Sequence, residues 1–362
     1  MSRPKRILAV ARGAGGGDVH PLLAAAFGLR DRGHHVVLLC DAGAEKMVKG
    51  LGIRTVKDDA AWRQAVEPSG AVLRAVPTVD VRAGLAHHFV GINAQLAPVL
   101  ANWAIEVGAE LVLTSLLIAS AAEQALNGRI PWCVVNTTYY LGNEPENPLA
   151  AYLLPILARA PLVLHATDAV FDGAPRLPAG QHFVGPLLWE PPARRLPYLD
   201  EPGDPWALVT VSSIPQDDTA IVTAALGALR RRRVRVLVTI GGADLRATGT
   251  VRIERYVSHA QVLARSALMV SHAGHGSVMK ALVSGVPMVL VPWGRDQPGV
   301  AARAERLGVA RVVSPDALEG MDRAVADVLD DPSFKRAAQA HHQRLASFDP
   351  IRTACELIEA LE

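Results

Sequence analysis

Residues 271–297, SHAGHGSVMKALVSGVPMVLVPWGRDQ, leave the chain few folds to choose from. An apolar run ends at Ser271 and enters a turn, His272-Ala273-Gly274-His275-Gly276-Ser277. A helix over 278–284 follows and stops at Gly285; the next run, 286–292, is apolar throughout, as a buried parallel strand is. Gly274 and Gly276 let the backbone approach a ligand closely. Ser277 stands at a helix start, where free N–H groups and the helix dipole favour an anion, and His272 stands where a phosphate on that end would lie. Asp296 and Gln297 offer a carboxylate and an amide at the carboxyl end of the next strand, where α/β proteins place ligands. The plainer alternative is an ordinary strand–turn–helix with two incidental histidines. The turn and the Asp-Gln pair occurring together at a workable spacing argue against it.

With 362 residues, half of them apolar, the chain is long for one core and sufficient for two α/β domains. A formal charge of +2 gives no argument for nucleic acid, and the four arginines 230–233 read as a solvated helix end. No apolar run reaches membrane-spanning length without charge or proline, and the opening MSRPKR lacks an apolar signal core, so no membrane span is expected and the cytoplasm is the expected location. Cys40, Cys133 and Cys355 lie far apart, as reduced buried thiols do.

The first half opens with a second strand–glycine loop–helix–strand unit. Residues 6–11 are a buried strand, 13–17 read GAGGG, Asp18-Val19-His20-Pro21 leads a helix over 22–32, and 35–40 is the next strand. Gly13-Ala14-Gly15 begins a dinucleotide fingerprint, and Asp41 ends the second strand where a ribose-binding acid would sit. The third glycine is missing, however, and Asp18 there would repel a pyrophosphate. Asp18 also suits a helix N-cap, and His20 is a competing general base with a better-placed pKa.

The turn, the following Gly285-Val286-Pro287 and the Asp296-Gln297 pair resemble the donor segment of the family 1 glycosyltransferases, nucleotide-sugar enzymes of GT-B fold. Gly17-Asp18-Val19-His20-Pro21 is similar to the variant of their N-terminal motif found in glycopeptide-antibiotic and sterol transferases. The resemblance implies an α/β GT-B architecture of two doubly wound domains facing each other across a cleft. It places an acceptor domain at 1–185, a linker at 186–205, a donor domain at 206–349 and a returning helix at 350–362. It implies that His272, Gly274, Gly276, Ser277, Ser212 and Ser213 hold the diphosphate, that Asp296 and Gln297 bond the sugar, and that Tyr256 and Val257 meet the base. Lys280 is the departure: relatives carry Glu at this helix position, where it contacts the ribose.

The same resemblance makes Asp18 the catalytic base, with His20 second. Relatives with a His base carry an Asp to orient it; Thr114-Ser115 stands there instead, which suits a carboxylate base. His87, His88, Tyr139 and Tyr140 are acceptor-pocket candidates, although surface or core filling is the ordinary fate of each. Residues 137–154 read as a proline- and aromatic-bearing loop, and 161–165 as the last strand of the first half. The expected reaction is inverting sugar transfer from a nucleotide diphosphate, a dTDP-deoxysugar in preference to a UDP-sugar, to a hydroxyl of a small-molecule natural product. No cofactor or metal is expected, since no Asp-x-Asp metal motif occurs and His272-x-x-His275 is too glycine-bound for a zinc helix. A monomer or homodimer is expected. The rival readings are a nucleotide-sugar 2-epimerase, a non-catalytic auxiliary homologue, and a transferase with a lipid-linked acceptor.

Overall fold

The computed structural model describes residues 3–12, 17–57, 87–212, 219–239 and 251–361. Within them, one parallel sheet has the order β3-β2-β1-β4-β5-β6-β7. Its strands are β1 (Arg6–Ala11), β2 (His35–Cys40), β3 (Arg54–Val56), β4 (Leu111–Ser115), β5 (Trp132–Asn136), β6 (Leu162–His165) and β7 (Gln181–Phe183). The second parallel sheet has the order β10-β9-β8-β11-β12-β13. It comprises β8 (Trp206–Thr210), β9 (Arg235–Thr239), β10 (Val251–Glu254), β11 (Ser266–Ser271), β12 (Met288–Leu290) and β13 (Ala310–Val312).

Helices join these strands. The first half holds α1 (Val19–Asp31), α2 (Ala42–Val48), α3 (Asn93–Glu106), α4 (Ala119–Leu126) and α5 (Pro148–Arg159). The second holds α6 (Thr219–Leu229), α7 (His259–Leu263), α8 (His275–Val283), α9 (Gln297–Arg306), α10 (Met321–Asp330), α11 (Pro332–Leu345) and α12 (Pro350–Glu359). Parallel strands covered on both faces must be apolar on both, which is why residues 7–11 and 111–113 are buried without alternation. Strand order reverses between β1 and β4 in one sheet and between β8 and β11 in the other. Loops leaving the carboxyl ends of those pairs diverge and open a crevice. Asp18 follows β1, and the His272 turn follows β11.

The chain divides into two units, Met1–Trp189 with Asp349–Glu362, and Glu190–Phe348. In the first, α1 is apolar nearly all round because it is covered twice, by the sheet and by α12. A Cβ on Gly28 would stand 2.4 Å from Ile351 Cγ2 and 2.9 Å from Cys355 Sγ, so only glycine admits this crossing. Arg32 grips Glu359 through two bonds of 2.6 and 2.8 Å, and Lys5 caps the end of α12 at the Leu361 carbonyl, 2.7 Å away. In the second unit the core gathers β8, β9, β11 and β12 against α6 and α10.

Several elements differ from the sequence reading. The expected loop 137–154 contains most of α5, capped by Asn147, whose side chain accepts from Leu149 N–H at 3.0 Å, with Pro148 at the first turn. The sheet does not stop at 161–165; β7 adds an edge strand beyond β6. Residues 190–205, read as linker, pack on the second unit. Arg194 pairs with Glu254 at 2.9 Å, Asp200 with Arg195 and Arg265 at 2.9 and 2.8 Å, and Leu196 and Leu199 are buried.

Candidate functional site

In the second unit, β11 delivers its last residue, Ser271, to a turn that the backbone makes at some strain. Ala273 takes φ +64°, a left-handed conformation that disfavours a side chain. The Ser271 hydroxyl accepts from the Ala273 N–H at 3.1 Å and holds it there. This turn brings the His272 ring back over Gly274, where a Cβ would meet Nε2 at 2.6 Å. Gly274 is the N-cap of α8, which starts three residues earlier than the expected 278. At Gly276 a Cβ would have nothing within 4 Å, so the first turn of α8 faces open space. His272, Gly274, Gly276 and Ser277 are thus brought together at a helix start, and Ser212 follows β8, the neighbouring strand at the switch point. Ser213 lies outside the described residues.

The Asp296-Gln297 pair follows β12 and opens α9. Gln297 is only 2% exposed, and its Oε1 accepts from the N–H groups of Trp293 at 2.7 Å and Gly294 at 3.2 Å. Its carbonyl oxygen therefore shapes the loop. Asp296 is half-buried with no capping bond, and Arg295 before it sits at φ +59°. His275, unassigned by the sequence reading, is buried on α8, and that burial drives its pKa well down; Asp296 nearby opposes the shift and Arg303 adds to it.

In the first unit, Asp18 occupies the N-cap position of α1 and makes no side-chain cap bond. Its carboxylate, 7% exposed, accepts instead from the Thr137 hydroxyl at 2.7 Å, beyond the end of β5. The cap-only reading of Asp18 is therefore set aside. His20 lies with its ring 5.8 Å from Trp189, whose other ring neighbour, Phe27, is stacked at 5.4 Å. Thr114 and Ser115, at the end of β4, are fully buried. Arg12, after β1, was not singled out in the sequence; it is buried, with Asp41 and Asp18 both acting to keep it charged against that burial. Asp41 itself caps α2, accepting from Ala44 N–H at 2.9 Å, which explains it without a ribose.

Residues 226–350 match the glycosyltransferase family 28 C-terminal domain, where the motifs by themselves suggest family 1. The 4'-demethylrebeccamycin synthase of Lentzea aerocolonigenes is 32% identical over 194 residues, 51% of this chain and 46% of that protein. The O-mycaminosyltylonolide 6-deoxyallosyltransferase of Streptomyces fradiae is 31% identical over 191 residues, 50% of this chain and 45% of that one. The chain spans about half the length of the curated relatives it matches. Among solved structures, the glycotransferase of kitacinnamycin superposes with a TM-score of 0.77 at 21% identity, covering 100% of both chains. The glycosyltransferase SsfS6 of Streptomyces sp. SF2575, complexed with thymidine diphosphate, gives 0.76 at 18% identity, over 98% of this chain and 100% of that one. The fold is GT-B, and the chain is a glycosyltransferase homologue.

In this homologue the helix position where the family 1 resemblance implies Glu has an acid beside it all the same. The Lys280 ammonium meets Glu190 Oε1 at 2.7 Å, with the two side chains 15% and 16% exposed. Glu190 also accepts from the Ser258 hydroxyl at 2.6 Å and the His259 N–H at 3.0 Å, and Lys280 and these donors hold its carboxyl below the usual range against the cost of burial. No sequence signal marked Glu190, which lies 90 positions from its partner. Tyr256 is 51% exposed, with its hydroxyl on the Pro191 carbonyl at 3.1 Å; Val257 is buried.

Of the acceptor candidates, the structure describes the side chains of Tyr139 and Tyr140. Tyr139 is fully buried and holds Glu144 at 2.8 Å, so it fills the core and does not line a pocket. Tyr140 lies edge-on to the buried His165 ring, and its N–H is held by Asp172 at 3.0 Å. The side chains of His87 and His88 lie outside the described residues. Among the described residues no group of three or more His, Cys, Asp or Glu side chains is arranged to hold a metal, and no helix is long and apolar enough to cross a membrane.

Proposed function

We propose that the protein transfers a sugar, with inversion, from a nucleoside diphosphate sugar to a hydroxyl of a small-molecule natural product. The observation that carries this reading is the open helix start at Gly276, bordered by the His272 ring, at the switch point of β8 and β11. Such a place offers N–H groups and the helix dipole to a diphosphate.

In the proposed reaction the acceptor oxygen attacks the anomeric carbon as Asp18 takes its proton. The bond from that carbon to the diphosphate oxygen breaks on the opposite face, and the electron pair leaves with the nucleoside diphosphate. Thr137 holds Asp18 in place through its hydroxyl. His272, Ser277, Ser212 and the first N–H groups of α8 meet the charge gathering on the leaving diphosphate. These are protein groups, and the proposal assigns no metal or cofactor. Asp296 contacts the sugar, and Gln297 shapes the loop that presents Asp296. A dTDP-deoxysugar is the favoured donor class over a UDP-sugar. The thymidine diphosphate in the SsfS6 complex and the 6-deoxyallosyl transfer named for the Streptomyces fradiae relative support it.

Calorimetric titration of the purified chain with dTDP and UDP tests the reading. Binding of at least one, lost in Gly276→Ala, is the expected result. Absence of binding by both nucleotides would overturn it. A 2-epimerase would convert a free UDP-sugar with no acceptor present, and the same preparation incubated with UDP-GlcNAc detects that.

A further inference from the structure

Thr137 holds Asp18, and something must in turn hold Thr137. Residues 137–140 belong to no helix or strand, and Thr137 is half-buried between Asn136 and Thr138, which are buried. The hydroxyl that donates to Asp18 Oδ1 at 2.7 Å therefore stands on a stretch that no regular element fixes. A side chain fixes it instead. Asn136, the last residue of β5, accepts the Thr138 N–H on Oδ1 at 3.2 Å and donates from Nδ2 to the Tyr139 carbonyl at 3.3 Å. It clasps the backbone just beyond Thr137, as an asparagine does when it turns its own chain.

The direction of the Asn136 amide is set from behind. Its Nδ2 also meets His165 Nδ1 at 2.8 Å, so that nitrogen is the acceptor of the neutral ring. The other ring nitrogen, Nε2, then carries the proton and donates to Gln181 Oε1 at 3.0 Å. Gln181 Nε2 donates in turn to the Leu157 carbonyl at 3.3 Å, which leaves Oε1 for the ring. Asn136, His165 and Gln181 stand on three neighbouring strands, β5, β6 and β7, and all three are buried. Along this run each donor meets an acceptor, and turning the Asn136 amide over would set oxygen against the bare Nδ1 and N–H against N–H. Buried polar groups are costly unless paired, and a paired network holds one geometry. What it adds over apolar filling is direction.

We propose that Asn136 is a positioning residue for the sugar-transfer step. Oriented by His165, it clasps the 137–139 turn and so aims the Thr137 hydroxyl at Asp18. This rests on Asp18 as the general base. All members of the run belong to the first unit, and the donor motifs to the second, so the run bears on turnover and leaves nucleotide affinity alone.

The test is steady-state transfer from dTDP-glucose or UDP-glucose to a panel of phenols and aliphatic alcohols, with nucleotide calorimetry and thermal melts beside it. Asn136→Ala is expected to lower kcat by about fivefold, since a displaced base takes the proton poorly, with nucleotide affinity within about twofold of wild type. Because Asn136 acts through Thr137, the double variant with Thr137→Val should be no slower than the slower single one. In an Asp18→Asn background, Asn136→Ala should change the residual rate by less than about twofold. An Asn136 that served the fold alone would give losses that multiply in both backgrounds. That result, or a wild-type kcat in Asn136→Ala, would overturn the proposal. If Asn136→Ala does not fold, two His165 variants decide. His165→Asn keeps an amide oxygen at the δ position, where it accepts from Asn136, and should turn over within about twofold of wild type; His165→Gln carries its amide one bond further out and should lose about fivefold. Equal rates in the two overturn it. A wild type that transfers to none of the acceptors, or an Asp18→Asn enzyme as fast as the wild type, removes the base reading itself and is thereby told apart from a failure at Asn136.

Discussion

The Thr137 hydroxyl donates to Asp18 Oδ1 at 2.7 Å, so the residue at the head of α1 is fixed by the chain leaving β5 and not by its own helix. A carboxylate serving only as a cap would spend its oxygens on the N–H groups of the first turn. Asp18 does not, and its removal should therefore separate activity from folding.

Asp18→Asn is expected to lower sugar transfer by roughly a hundredfold or more. Nucleotide affinity should stay within about twofold, and the melting temperature within about 2 °C, since under 1 kcal/mol is at stake. Thr137→Val should cost only several-fold, because it loosens the carboxylate without removing it. Steady-state rates with a donor and a panel of aglycones, beside calorimetry with nucleotide and thermal melts, check these outcomes. An active Asp18→Asn beside a dead His20→Ala would move the base to His20.

The two glycines of the donor turn should answer differently to the same substitution. Gly274→Ala brings a Cβ to 2.6 Å from His272 Nε2, so the ring or the turn must shift, with a loss of both stability and binding. Gly276→Ala meets no protein atom within 4 Å, so the fold should be unaffected while dTDP or UDP binding falls by about tenfold or more. Thermal melts alongside calorimetry distinguish these outcomes; a normal affinity in Gly276→Ala would show that no ligand approaches that face.

Gln297 is expected to matter more for the fold than a sugar contact would require. Gln297→Leu strands the half-buried Trp293 and Gly294 N–H groups, a loss of about 1–2 kcal/mol in all. Gln297→Glu keeps an acceptor and should recover most of that stability. Urea midpoints of the two variants check it.

Acid should destabilise the chain through two buried histidines. Burial lowers the His165 pKa to about 4; the bond from Nε2 to Gln181 Oε1 at 3.0 Å opposes that shift without overcoming it, and Asn136 Nδ2 meets Nδ1 at 2.8 Å. A folded pKa below the unfolded 6.5 means the folded state binds fewer protons, so this stabilisation is complete above pH 6.5 and is lost as pH falls towards 4. The loss for His165 is about 3 kcal/mol over that window, and the lowered His275 acts in the same direction. Urea midpoints between pH 7.5 and 4.5 should fall less steeply for His165→Gln than for the wild type.

Much of the fold was legible because parallel strands must be apolar throughout and glycine turns separate them from helices. Two of the helices that reading passed over, α5 and α11, carry the same mark: an Asx residue followed by proline, Asn147-Pro148 and Asp331-Pro332. Asp349-Pro350 opens α12 in the same way and was recognised. Pro145 and Pro148, within 137–154, gave that stretch the look of a loop, although Pro148 stands in the first turn of α5. In the donor site the turn itself was legible from 272 to 277, since glycine spacing encodes it locally. Glu190 was not, because a single acid in a proline-rich stretch carries no pattern; only the folded chain brings it to Lys280.

The return of α12 to the first unit bears on the order in which the protein can be made. Glu190–Phe348 is one continuous stretch, so its core can close as soon as that stretch has been synthesised. The unit that starts first cannot finish first. Until residues 349–361 emerge, α1 presents Gly28 and its small-residue face to water, and Arg32 and His34 lack Glu359. Synthesis would therefore hand the cell a completed second unit tethered to an unfinished first one. A chain halted at Phe348 would stay in that condition, exposed to proteases and chaperones along the groove that α12 fills.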